Sequence, residues 1–443
     1  MTAPANMEPA PSLPVAPVDR WLAPVTRFLH IEAASGVVLI ACTAVALALA
    51  NSPMAEWSAS LWTTPVSLSI GAFTLSGDIG HLIVNDGLMT IFFFVVGLEV
   101  KREMAHGEFR DLRKALLPVF AALGGVVMPA AIYLVLQWGE PGQRGWAIPM
   151  ATDIAFVVGF LALFGKRVPF GLKILLLSLA IVDDLVAVLI IAFVFTDALA
   201  WNWLGVAAGA FGIVYVFHRI GVRSIGVYVV VGALIWLAFL QSGVHPTVAG
   251  VLLGLLTPAH AWVGQRTFAD VLKATWQRAS REESDPRSAP ADVERAQFAA
   301  REAVSPLQRL EDGLHPWVAF GIMPVFALAN AGVVLSPSSL GEPVAIAVAA
   351  GLAIGKPIGI MVLCLLAVRS RVTSLPEGVT WGMLAGGACL AGIGFTMALF
   401  LNALAFPVAD FPANEAAGKI GTLAGSLVSV VLGAVVLSSA LRR

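Results

Sequence analysis

Apolar residues run through this chain in blocks of about 20, separated by short polar or basic stretches. A helix needs about 20 apolar residues to cross ~30 Å of hydrocarbon, so the blocks read as membrane spans. Twelve are predicted, near 33–51, 80–102, 115–137, 145–165, 170–195, 202–218, 224–241, 246–258, 315–335, 343–367, 379–402 and 419–439. The eighth is short. Two stretches break the pattern. Residues 261–312, around "SREESDPRSAPADVERAQ", are polar and charged and read as a linker that is partly helical at most. In "PVSLSIGAFTLSGD", Val66, Leu68 and Ile70 alternate with polar residues before Gly71-Ala72, which predicts a two-residue type II′ hairpin. An isolated hairpin is marginal, so this one is expected to pair, for instance with a second copy across a twofold axis.

Basic residues orient the map. With alternate loops cytoplasmic, Arg20, Arg27, Lys101 to Lys114, Lys166 to Lys173, Arg219, Arg223, the 259–313 loop, Arg369, Arg371 and Arg442–Arg443 all fall inside. Only Arg144, Lys356 and Lys419 fall elsewhere. Both termini are therefore expected in the cytoplasm. Residues 1–30 form an N-terminal tail, and 31–443 a single transmembrane domain that includes the 65–77 external hairpin and the 259–313 cytoplasmic loop. The start, Pro/Ala-rich and without basic residues, does not look like a cleavable signal. Within "RWLAPVTRFLH", apolar residues at helical spacing beside Arg20 and Arg27 read either as a helix lying in the membrane interface or as a frayed lead-in to the first span.

Composition agrees. Hydrophobic residues are 58% of the 443 and charged residues 12%, against about 25% charged in soluble domains. Cys42, Cys364 and Cys389 all lie in apolar runs and suggest neither a disulfide framework nor a metal cluster. No cofactor and no nucleic-acid partner are expected.

Charge inside the spans changes the picture. An aspartate at a helix centre costs about 2.5–3.5 kcal/mol even on the lenient insertion scale. Asp184 lies eleven residues after Lys173 and thirteen before Asp197, near the midplane. Lys356 lies fourteen after Glu342 and thirteen before Arg369, and Asp153 nine after Arg144 and thirteen before Lys166. Three spans thus carry ionisable groups to one depth. One lysine cannot neutralise Asp153, Asp183 and Asp184 together, so the remainder must hold protons, bind a cation, or do both. Successive helical residues diverge by about 100°, so Asp183 and Asp184 face different ways. One can meet Lys356 while the other faces a water-filled cavity. Cation and proton then compete for one site, which is the chemistry of an exchanger. For Asp86, in the second span, the plainer reading is a structural hydrogen-bond partner between helices.

Two spans should be broken. Pro149 interrupts the fourth, and Thr152 suits the N-cap of a fresh half-helix with Asp153 at its positive end. In the eleventh, Gly386, Gly387, Gly392 and Gly394 cluster, which predicts unwinding at "AGIGFT"; close packing through small residues is the competing reading. The two broken spans run in opposite directions. The expected fold is all-α and polytopic, with about twelve transmembrane helices, spans 3–5 and 10–12 as an inverted-topology repeat, and spans 4 and 11 as discontinuous crossing helices. Facing half-helix N-termini call for negative charge and C-termini for positive charge, and Asp153 and Lys356 have those signs.

Rival functions fit less well. An aspartyl protease needs carboxylates on different helices sharing a water, whereas Asp183 and Asp184 are adjacent and diverge. No G-x-S-x-G or H-E-x-x-H occurs. A lysine beside the site argues against a cation pore. A transporter of the same architecture carrying an organic anion with sodium would use Lys356 to hold a carboxylate, but three aspartates at one depth disfavour it.

The stretches "NDGLMTIFFFVVGLEVKRE", "IPMATDIAFVVGFLALFG", "SLAIVDDLVAV", "SGVHPTVAGVLLG", "LHPWVAFGIMPVFALANAGV", "GKPIGI" and "GIGFTMALF" occur in this order along nearly the whole chain. In combination they resemble the NhaA family of bacterial sodium/proton antiporters. The resemblance implies Na+ or Li+ held at Asp184 with Asp183 beside it. It implies that Thr152 and Asp153 line or balance the site, and that Lys356 pairs with Asp183. It also implies electrogenic exchange with H+ and an inner-membrane homodimer joined by the external hairpin. Regulation by pH would involve Glu99, Glu103, Glu311 and His245. Three features depart from the family pattern: Pro246 after His245, Asp312-Gly313 after Glu311, and a 259–313 loop longer than expected. All three touch the region implied in the pH response.

Overall fold

In hydrocarbon a helix satisfies its own backbone N–H and C=O groups, so each apolar run becomes helical. The computed structural model describes residues 32–71, 73–107, 109, 112–196, 199–222, 224–279, 289–335 and 337–442. The 1–30 tail, with the stretch around Trp21–Leu29 read as either an interfacial helix or a frayed lead-in, lies outside the described residues.

Helix α1 (Glu32–Ala50) is followed by α2 (Ala55–Trp62), folded back by 117°. Then come strands β1 (Pro65–Ile70) and β2 (Phe73–Asp78). A π-helical run, Ile79–Leu88, leads into α3 (Met89–His106), and α4 spans Leu112–Leu136. A tight 3-10 run, Pro141–Met150, precedes α5 (Ile154–Leu163). Next are α6 (Phe170–Val194), α7 (Trp201–Ile220), α8 (Ile225–Ser242) and α9 (Thr247–Leu256). Two polar helices follow, α10 (Gln265–Ala279) and α11 (Ala289–Glu302). After them come α12 (Pro306–Trp317) and α13 (Met323–Asn330), then α14 (Pro343–Ala350) and α15 (Lys356–Arg369), each pair joined by a π-helical turn. The chain closes with α16 (Trp381–Ala391), α17 (Phe395–Ala405) and α18 (Pro412–Ala440).

Eight of these runs are long and apolar enough to cross a membrane unbroken. Two bent pairs, and a third formed by α1 folded back on α2, bring the number to as many as eleven if each is one span. The short α9 stands where the eighth span is expected and, at 10 residues, covers only about half the hydrocarbon. Both bent pairs, Pro141–Met150 with α5 and α16 with α17, turn by 44°. Each is the middle member of three, flanked by α4 and α6 in one unit and by α14–α15 and α18 in the other, which is the inverted-topology repeat. The hairpin has the expected register, Ile70 opposite Phe73, with Gly71 at φ +63° as a type II′ turn requires at its first position.

Two regions differ from expectation. Helix α2 was not foreseen between the first span and the hairpin; its "AEWSASLW" is too short and mixed to show a period. The 259–313 loop is more ordered than a linker. It holds α10 and α11, and the ninth span begins inside it at Pro306 rather than near 315. Ser305 caps that helix by accepting from Gln308 N–H at 3.2 Å, with Pro306 at its first position. Buried Leu307 alternates with charged Arg309 and Glu311 through these turns, which lowers the mean hydropathy that marks a span.

The two units interlock where α4 crosses α15, the helix that carries Lys356. A Cβ added at Gly359 would stand 2.0 Å from the Gly124 carbonyl oxygen, and one at Gly124 would stand 2.1 Å from that of Gly359. Small residues let the backbones touch, which drives packing where lipid offers no hydrophobic gain. Gly359→Ala should therefore destabilise the protein by about 1–3 kcal/mol. Gly205→Ala, where a Cβ meets nothing within 4 Å, should be neutral or slightly stabilising. Thermal unfolding of both variants in detergent checks this; equal melting temperatures would refute the close crossing.

Candidate functional site

The two chain breaks meet. Before α5 the backbone is extended through Ala151–Asp153, and before α17 it unwinds at Gly392–Gly394. The Asp153 N–H donates to the Ile393 carbonyl at 2.7 Å, joining one break to the other. Neither Gly392 nor Gly394 has a positive φ. What requires glycine is proximity: a Cβ on Gly392 would lie 2.4 Å from the Leu352 carbonyl oxygen, and one on Gly394 2.8 Å from the Leu352 side chain. Gly386 and Gly387 follow the competing reading, since they lie inside α16 and pack against Leu437 and Leu176.

Asp153, not Thr152, caps α5. Its φ of −88° and ψ of 100° leave the helix, and its Oδ1 accepts from Phe156 N–H at 3.3 Å. Its Oδ2 accepts from the Thr396 N–H at 3.1 Å and from the Thr396 hydroxyl, in the first turn of α17. One buried carboxylate thus faces two helix N-termini, the sign their dipoles favour. Thr152, one residue earlier, serves elsewhere. Its hydroxyl lies 2.7 Å from Asp183 Oδ2 and 3.0 Å from the Ala391 carbonyl at the end of α16. Its single proton can serve only one of the two at a time.

The C-terminal ends are matched by positive charge. The Lys356 ammonium donates to the carbonyl of Met150, the last residue of the Pro141–Met150 run. It also pairs with Asp183 Oδ2 at 2.8 Å, with both side chains 0% exposed. Asp183 and Asp184 are consecutive on α6 and both buried. Oδ1 of Asp183 and Oδ1 of Asp184 have no hydrogen-bond partner. Asp184 feels the charges of Asp183, Glu99, Asp153 and Lys356. The four charged residues therefore come together at the crossing, but in unequal roles. Asp153 is committed to helix ends and Asp183 to Lys356 and Thr152, which leaves Asp184 as the carboxylate without a fixed cation. Among the described residues no three His, Cys, Asp or Glu side chains form a ready-made metal cage. Sequence reasoning missed Thr396, Ile393 and Met150. The last two act through backbone carbonyls, which no residue type announces.

The four pH-response candidates split into two groups. Glu99 and Glu103 lie on α3, and Arg102 between them pairs with Glu311 of α12. Glu99 is within the field of Glu311, Arg102 and Glu103. His245 sits apart, with Nε2 3.4 Å from Asp86 Oδ1 and Nδ1 2.8 Å from the Thr247 hydroxyl. The other Asp86 oxygen lies 3.2 Å from Nδ1 of His81, whose side chain is 70% exposed. The Asp86 carbonyl accepts from Trp236 Nε1 at 3.2 Å. Asp86 thus ties its own helix to α8 and to the start of α9, the geometry of an interhelical partner. His81 was not foreseen.

Helices broken at their crossing, with the breaks neutralised by one aspartate and one lysine and with further carboxylate alongside, have the architecture of a secondary ion transporter. The chain matches the family described as "Na+/H+ antiporter 1" over residues 26–437 and belongs to it. It is 50% identical over 422 residues to the Na(+)/H(+) antiporter NhaA of Rhodopirellula baltica, covering 95% of each chain. Identity is 48% over 445 residues to the Na(+)/H(+) antiporter NhaA 2 of Sorangium cellulosum, covering 98% of this chain and 95% of that one. To the Na(+)/H(+) antiporter NhaA of Rhizobium meliloti it is 46% over 428 residues, covering 96% and 97%.

Thr396→Val removes the hydroxyl from Asp153 while keeping shape, and should cost about 1.5–3 kcal/mol, the range for a hydrogen bond to a charged group. In a double-mutant cycle with Asp153→Asn the cost should shrink, because the neutral amide needs less from the hydroxyl. Additive costs in denaturation midpoints would show that the two side chains do not interact.

Proposed function

We propose that the chain is an electrogenic Na+(Li+)/H+ antiporter of the bacterial inner membrane, exporting sodium in exchange for protons by alternating access and so serving pH and sodium homeostasis. The observation that carries this reading is the imbalance at the crossing. One lysine faces two adjacent carboxylates, and each carboxylate keeps one buried oxygen without a partner. A carboxylate pair in that state must take up protons or a cation to be stable away from water. Carboxylate, hydroxyl and carbonyl oxygens are the ligands that hard cations accept.

When the cytoplasmic pH is high, Asp184 gives up its proton and Lys356 gives up another as it releases the carboxylate of Asp183. Sodium enters from the cytoplasmic side between the two carboxylates, with the Thr152 hydroxyl free to turn toward the Ala391 carbonyl. The unit carrying the site then moves, sodium leaves outside, and protons reload Asp184 and Lys356, which pairs with Asp183 again. More protons enter than cations leave, so membrane potential drives the cycle. Asp153 and Lys356 hold the broken helix ends through the movement. Both termini lie in the cytoplasm, as the basic loops indicate. The hairpin, with exposed residues on each strand, suits pairing with a second copy in a homodimer. Glu99, Glu103, Glu311 and His245 are assigned to the pH response, the glutamates through the Arg102 pair.

Reconstitution in proteoliposomes with a trapped pH indicator tests this. Sodium and lithium should each dissipate a proton gradient, and potassium should not. Asp184→Asn should remove the response while leaving the melting temperature within a few degrees of the parent. Full exchange by the folded variant would end the assignment of Asp184.

A further inference from the structure

The polar hairpin of α10 and α11 is anchored at its base. The Leu307 N–H donates to the Pro258 carbonyl at 3.2 Å, and the Val263 N–H to the Glu302 carbonyl at 3.0 Å. Both strands of the neck therefore leave from the ends of membrane helices, α9 on one side and α12 on the other. Helix α10 joins α11 through Arg278 and Asp292, 2.7 Å apart. Phe268, Val271 and Thr275 are its half-buried positions.

Another stripe of α10 is apolar yet exposed. Leu272 and Trp276, four residues apart on one face, are 43% and 72% exposed. Trp262, just before the helix, is 68% exposed. Exposed Arg266 and Lys273 border this stripe. The charge is uneven between the two helices. Helix α10 carries Arg266, Lys273 and Arg278 against Asp270 alone, whereas α11 carries Arg295 and Arg301 against Asp292, Glu294 and Glu302. Tryptophan and leucine flanked by basic side chains, on a helix tethered at the membrane edge, form the pattern of a helix lying in an anionic interface.

We propose that the α10 face formed by Leu272, Trp276, Arg266 and Lys273 docks onto anionic phospholipid headgroups of the leaflet next to the hairpin. The leaflet is the cytoplasmic one if the proposed orientation holds, and the lipid contact itself depends only on the anchored neck and the face. Apolar side chains enter the acyl boundary while the two basic groups meet phosphate. The contact holds the start of α12, and with it Glu311, at a fixed height against the bilayer.

Hydrogen exchange of the full-length protein in nanodiscs tests this. One set contains phosphatidylcholine alone, and the other replaces a third of it with phosphatidylglycerol. Both leaflets are present in a disc, so the result does not depend on orientation. Exchange over 265–279 should slow about tenfold in the anionic discs. Trp276→Glu should erase the difference, and so should R266E/K273E, which changes surface charge only. Equal exchange in both lipids, or slowing that survives both variants, overturns the proposal. Slowing that appears only when a soluble protein is added overturns it too, and assigns the face to a protein partner. Sodium-driven proton flux in proteoliposomes is a separate readout: its absence in the parent protein would sink the antiport reading while leaving the exchange result intact.

Discussion

Lys356 and Asp183 face each other 2.8 Å apart with no exposed surface, in a region where an unpaired charge costs several kcal/mol. Neither could stay ionised there alone. The pair is also not closed upon itself. The ammonium extends to the Met150 carbonyl, and the carboxylate accepts the Thr152 hydroxyl. The same few atoms therefore neutralise a side chain, terminate a half-helix and form one edge of the proposed cation site. Breaking such a pair by removing one partner typically costs about 3–5 kcal/mol, so its opening in the proposed cycle needs a substitute charge. A proton on the carboxylate or a sodium ion beside it supplies one. In the proposed cycle, electrostatic necessity thus links ion occupancy to the state of the two broken helices.

Asp153 completes the scheme from the opposite sign. Its carboxylate caps α5 and receives the first turn of α17, so the helix N-termini converge on one anion as the C-terminal carbonyls meet Lys356 and Thr152. Crossed broken helices are unstable in hydrocarbon unless each freed backbone group has a partner. Here most partners are the residues that also surround the site. This explains why the breaks, the charges and the crossing occur together, and why the glycines at Gly392 and Gly394 are needed for close approach rather than for unusual backbone angles.

Much of this was legible in the chain. Spans appear as hydropathy blocks, and the depth of Asp153, Asp184 and Lys356 follows from counting at 1.5 Å per residue. Pro149 and the "AGIGFT" glycines mark the breaks. What was hidden has physical reasons. The N-cap moved from Thr152 to Asp153 because both residue types favour that position and only the backbone angle decides. Met150, Ala391 and Ile393 contribute carbonyls, which every residue has. His81 meets Asp86 five residues on within one π-helical run, a spacing that an α-helical period does not bring together, and His245 reaches Asp86 from a distant part of the chain. Helices α10 and α11 looked like a linker because their apolar stripe is narrow and their charge high. The early start of α12 was masked by its polar first turns.

The central claim is that cation and protons contend for the same carboxylates. Its most direct test is proton release on cation binding. Purified protein in weakly buffered detergent, at a pH where Asp184 remains protonated, is titrated with sodium chloride while bulk pH is recorded. The account predicts saturable acidification with sodium and lithium, none with potassium, and none in Asp183→Asn/Asp184→Asn. Saturable sodium binding without proton release, or undiminished release from the double variant, would contradict it.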